Sequence, residues 1–95
     1  MNWKPGDKFT LALREGPAEA TILCVVTLAG VREFALHDQG IGYAVSHIPT
    51  GFRVSWSEGR RSAIYRAWAQ VRRRARIDGT DGMTAIRAAI ERRLQ

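Results

Sequence analysis

"YAVSHIPTGFRVSWSEGRRSAIYRAWAQV", residues 43 to 71, changes period halfway along, and the fold turns on that change. Up to Trp56 the residues alternate as in a strand, whereas Ile64, Ala67, Trp68, Val71 and Ala75 recur at helical spacing. Pro49-Thr50-Gly51 joins two strands: proline presets the first turn position, and Gly51 can take the left-handed conformation of a bulged three-residue loop. In that register Ile48 lies across from Phe52, Ser46 from Val54 and Ala44 from Trp56, pairing small residues with large ones on a face that reads as core. Tyr43, Val45, His47, Arg53 and Ser55 then share the opposite face, expected to be open. A two-residue loop would slip the register by one and set Tyr43, Val45 and His47 against the apolar residues instead.

Upstream, "KFTLALR" (8–14) alternates Phe9, Leu11 and Leu13 with Thr10, Ala12 and Arg14, the pattern of a half-buried strand, and "EGPAEA" breaks it. "ATILCVVTL" (20–28) is apolar on both parities and predicts one central strand covered on both faces. "EFALH" (33–37) is a third strand, and the glycines of "DQGIG" turn the chain toward the fourth. Downstream, Ser57 or Ser62 is available to cap a helix over 59–76, which Trp68 would anchor on the sheet. "IDGTDG" ends that helix, and Thr80 or Asp81 caps a second one with Met83, Ile86, Ala89, Ile90 and Leu94 as its apolar stripe. The expected fold is α+β: a five-stranded antiparallel meander followed by two C-terminal helices packed on one face. All 95 residues fit one domain, with residues 1–56 as its sheet and 57–95 as its basic helical part.

Cysteine occurs once, as Cys24 within the apolar run, so neither a disulfide framework nor a thiolate zinc site is expected, and a reducing, cytoplasmic location is. "MNWKPGDKF" has no apolar core of a signal peptide, and no apolar run approaches the roughly 20 residues of a membrane span. A membrane partner is therefore not expected.

Charge is unevenly placed. Residues 1–56 carry Lys4, Lys8, Arg14, Arg32 and Arg53 against Asp7, Glu15, Glu19, Glu33 and Asp38, a balance of zero. Residues 57–95 carry ten arginines against Glu58, Asp78, Asp81 and Glu91, so the whole net charge of +6 resides there. That asymmetry points to a polyanion or an acidic protein surface. The candidate contact residues are Arg66, Arg72, Arg73, Arg74 and Arg76 on the helix, with Tyr43, His47 and Arg53 on the open sheet face.

Catalysis finds little support. His47 beside Arg53 has no group to orient it as a base, and neighbouring His37 and Asp38 point to opposite faces of a strand. The histidines, the cysteine and the scattered carboxylates lack metal-ligand spacing, and no glycine loop suits a phosphate or a cofactor. An enzyme, a metal and a cofactor are not expected.

Residues 43–76, a strand, an "HIPTG" turn, a strand and an arginine- and alanine-rich helix, resemble the ends of several small proteins encoded by phages and prophages. The resemblance implies a mobile-element setting in which single-domain proteins without active sites bind host machinery, anti-CRISPR proteins among them. The expected function is thus a non-enzymatic protein, monomeric or homodimeric, that inhibits or adapts a bacterial protein or nucleoprotein complex through its arginine-rich helix. The alternative is a sequence-nonspecific DNA or RNA binder that meets phosphates with the same arginines.

Overall fold

A computed structural model of the chain describes residues 2–78, with side chains up to Arg73. Strand β1 (Lys8–Leu13) buries Phe9 and Leu11 and exposes Lys8, Thr10 and Ala12, as its alternation requires, but Leu13 at its end is exposed against that pattern. The segment expected to break this strand instead forms its partner. β2 (Gly16–Thr21) runs antiparallel to β1, from Leu13↔Gly16 to Lys8↔Thr21. Pro17 is tolerated because a two-stranded ribbon consists only of edges.

The apolar run 20–28 is two elements rather than one. Ile22 exchanges backbone hydrogen bonds with the β1 side, donating to Asp7 C=O (2.9 Å) and accepting from Gly6 N–H (2.8 Å), whereas Leu23 N–H donates to Leu36 C=O at 2.8 Å. The chain therefore changes sheets between these two residues, with Ile22 turned into the interior. β3 (Cys24–Leu28), β4 (Val31–Asp38), β5 (Tyr43–His47) and β6 (Arg53–Ser57) then form an antiparallel meander in the order β3-β4-β5-β6. The expected five-stranded sheet is corrected to six strands in two sheets, of two and four strands, among the described residues. Apolar residues on both parities mark a segment covered on both sides, but they carry no sign of the corner.

The β5–β6 hairpin combines both registers considered from sequence. Tyr43↔Ser57, Ala44↔Trp56 and Val45↔Ser55 follow the bulged register, but Ser46 pairs with Arg53 and His47 N–H donates to Phe52 C=O, one residue slipped. The expected Ser46–Val54 and Ile48–Phe52 pairs do not form. Ile48 has left β6 and donates its N–H to Glu33 C=O on β4 at 2.9 Å. Gly51 closes the loop with φ +75, and a Cβ there would run into the backbone of Thr10 and Ala12. The glycine lets this turn dock on β1, where Ala12 N–H donates to Gly51 C=O at 3.0 Å.

One helix follows among the described residues, α1 (Arg60–Asp78); the expected second helix lies outside them. Gly59 holds the cap position, accepting the first helical bond from Ala63 N–H at 3.0 Å, while Ser57 and Ser62 bond to each other at 2.6 Å. The helix buries Ala63, Ala67 and Val71 against Val26, Leu28, Phe34, Leu36 and Val45. Alternate residues of β4 and its neighbours face the other way, where Ala35 and Ile48 pack with Phe9, Leu11 and Ile22. Helix, four-stranded sheet and two-stranded ribbon thus stack as three layers.

Trp68 is not the anchor that its spacing suggested. It is 46 % exposed, and the buried stripe is centred on two alanines. Small residues permit a close approach: the Ser55 hydroxyl on β6 donates to the Ala63 carbonyl of the helix at 2.7 Å. A tryptophan in that position would hold the helix away.

Candidate nucleic-acid interface

Arginines far outnumber carboxylates on α1. Arg60, Arg61, Arg66, Arg72, Arg73, Arg74 and Arg76 precede the helix's first carboxylate, Asp78, at its last residue. A helix surface selected only for solubility interleaves both signs and pairs Glu with Lys or Arg four residues apart. Among the described residues, no carboxylate lies within ion-pair distance of Arg61, Arg66, Arg72 or Arg73.

Helical geometry sorts these side chains into two flanks. Arg66, Ala69, Gln70 and Arg73 fall on one side and line, with Arg53 and Trp56 of β6, a cleft of ≈ 420 Å³ between the helix and the sheet's outer strand. Arg61, Tyr65, Trp68 and Arg72 fall on the other. Tyr65 is 75 % exposed, and the Arg72 guanidinium lies 5.4 Å from the centre of the Trp68 ring. Arg60 is committed elsewhere, since it sits 5.2 Å over the Tyr43 ring, and the neighbouring Tyr43 raises its pKa above the ordinary arginine value.

The structure thus brings Arg53, Arg66 and Arg73 together and places Arg72 beside them on the adjacent flank. Arg74 and Arg76 belong to the same helix, but their side chains lie outside those described. Tyr43, His47 and Arg53 do not form one open face. The helix covers the Val45 and Ser55 side of the hairpin, His47 is buried, and Tyr43 is half-buried beneath Arg60. Arg53 alone of the three is exposed, at the junction of the helix cleft with a second cleft of ≈ 760 Å³ bordered by β1. That second cleft offers mixed charge, Arg14 and Arg53 against Glu15.

Both histidines have partners that local sequence does not reveal. His47 Nε2 donates to Glu33 Oε2 at 3.0 Å, and its Nδ1 lies 2.8 Å from Thr50 Oγ1. Hydroxyl, imidazole and carboxylate in line have the composition of a hydrolytic relay. Thr50, however, is only three residues from His47, and its Oγ1 also accepts from Phe52 N–H at 3.5 Å, so the set clamps the hairpin loop. The neighbouring Gly51 N–H is bonded to His47 C=O at 2.7 Å and cannot serve an oxyanion.

His37 is fully buried between the sheets, its ring 5.4 Å from Phe9 in an edge-on contact. Asp38 C=O can only accept, so Nδ1 donates to it (3.3 Å), and Nε2 then accepts from the Ser46 hydroxyl at 2.7 Å. Desolvation lowers the His37 pKa, assisted by the Arg53 charge and opposed by the carbonyl and charge of Asp38. A neutral, doubly bonded imidazole in this place is a core group. Cys24 is half-buried against the helix-side core.

Among the described residues no cluster of histidine, cysteine and carboxylates could hold a metal ion. None of their helices is long and apolar enough to cross a membrane. Comparisons with protein families, curated proteins and solved structures find no match to the chain.

Proposed function

We propose that the chain is a non-enzymatic binding protein whose helix α1 contacts the phosphates of a nucleic acid without reading its sequence. The observation that carries this reading is the uncompensated arginine surface: Arg66 and Arg73 line a cleft with Arg53, Arg61 and Arg72 stand on the adjacent flank, and no carboxylate pairs with the four helix arginines among the described residues. Guanidinium groups suit phosphate because their fork of donors matches its oxygens. Codon bias accounts for arginine in place of lysine, but it does not account for the missing glutamates. The setting proposed with it is a bacterial nucleoprotein whose nucleic-acid component α1 meets.

The test is a salt series of oligonucleotide affinity. Wild-type log affinity is expected to fall linearly with log salt, and the double variant Arg66→Gln/Arg73→Gln to lower that slope by about one unit for each phosphate no longer neutralised. An affinity that is flat with salt, or identical in the double variant, would sink the proposal. Binding only to an acidic protein, with the loss confined to the association rate, would move the reading to a protein surface.

A further inference from the structure

Phosphate contacts account for the arginines but leave two large aromatic side chains in water. Tyr65 and Trp68 are 75 % and 46 % exposed, three residues apart on one helix, where side chains are neighbours roughly 5–6 Å apart at Cβ. Single exposed apolar residues are common and need no account. This pair differs in its flanks: Arg61 and Arg72 stand at its two ends on the same stripe, about 16 Å apart along the helix axis. Arg72 already packs on the Trp68 ring.

We infer that Tyr65 and Trp68 form a base-stacking platform between Arg61 and Arg72, so that the ligand of α1 is single-stranded nucleic acid rather than duplex. The inference rests on the phosphate-binding reading and narrows its ligand. In a duplex the bases stack on one another and present only their edges in the grooves, so an aromatic ring on a helix surface meets no base face. In a single strand the bases can splay out and lie on aromatic rings while the backbone follows the cations. Positive charge alone would attract either form. Aromatic rings among the cations distinguish them, and they do so without sequence preference because every base offers a π face. Ala69, which lines the Arg66 and Arg73 cleft, is a helical neighbour of Tyr65, so a strand on the platform reaches that cleft across a small side chain.

The experiment compares a labelled mixed-sequence single strand with the matching duplex, at one low salt concentration, against the full chain and four variants. Tyr65→Ala and Trp68→Ala are each expected to weaken single-strand binding about 5- to 150-fold and to change duplex binding less than twofold. Trp68→Phe, which keeps a ring, should retain most of the affinity and serves in place of Trp68→Ala if the latter unfolds. Arg66→Gln/Arg73→Gln should weaken both ligands. Equal losses for duplex and single strand on removing Tyr65, or no loss for either, would overturn the platform while the arginine double variant still reports on phosphate binding. If neither nucleic acid binds the wild type, both readings fail together.

Discussion

His37 shows how much one buried side chain can link to solution conditions. Desolvation holds its pKa below the ordinary 6.5, so between that value and the folded-state pKa the unfolded chain binds a proton that the folded chain does not. Stability is therefore full above about pH 6.5 and declines as pH falls through the interval. The charged ring would also have to lose its acceptor role toward Ser46, and the nearest charges are Asp38, which favours protonation, and Arg53, which opposes it. The melting temperature should drop between about pH 7.5 and pH 5, and His37→Gln should flatten that drop. Equal pH dependence in the two proteins would show that His37 is not its source. Neither histidine's surroundings were legible in sequence. His47 looked unoriented because its carboxylate, Glu33, lies on another strand, brought near by the register Phe34↔His47. Local reading offered only Arg53.

At the scale of the elements, periodicity located the helix and the strands other than β2, whose Gly16 and Pro17 read as a break, but misjudged how they meet. The meander of β3 to β6 and the glycine turn at Gly51 follow from alternation and turn chemistry. The corner at Ile22–Leu23 does not, because a run apolar on both parities reads the same whether it stays in one sheet or leaves it. The helix stripe was misplaced for a related reason: hydrophobic size drew attention to Trp68, whereas close packing on a sheet selects Ala63 and Ala67. The consequence can be measured. Ala67→Leu should destabilise the fold by about 1–3 kcal/mol through overpacking beneath the helix, a larger loss than from Trp68→Ala at the half-exposed position. Chemical denaturation of both variants checks the order. If Trp68→Ala is the more damaging, the helix is seated on its tryptophan after all.

Across the whole molecule, the three layers divide the work. The ribbon of β1 and β2 covers one face of the central sheet and carries little net charge, while α1 covers the other and turns Arg61, Arg66, Arg72 and Arg73 outward. Counting charges along the sequence found that polarity. The cleft between α1 and β6 was beyond such counting, since it depends on β6 being the outer strand of its sheet and on the helix settling over β5 and β6. Both facts arise from pairing order, which a sequence specifies only through contacts far apart along the chain. The most direct measurement of the central claim is amide chemical-shift mapping during titration with a short single-stranded oligonucleotide. Shifts concentrated on residues 53–57 and 60–73, with β1 and β2 silent, are the expected result. Shifts centred on the ribbon, or a spectrum unchanged at low salt, would contradict the assignment of α1 as the nucleic-acid interface.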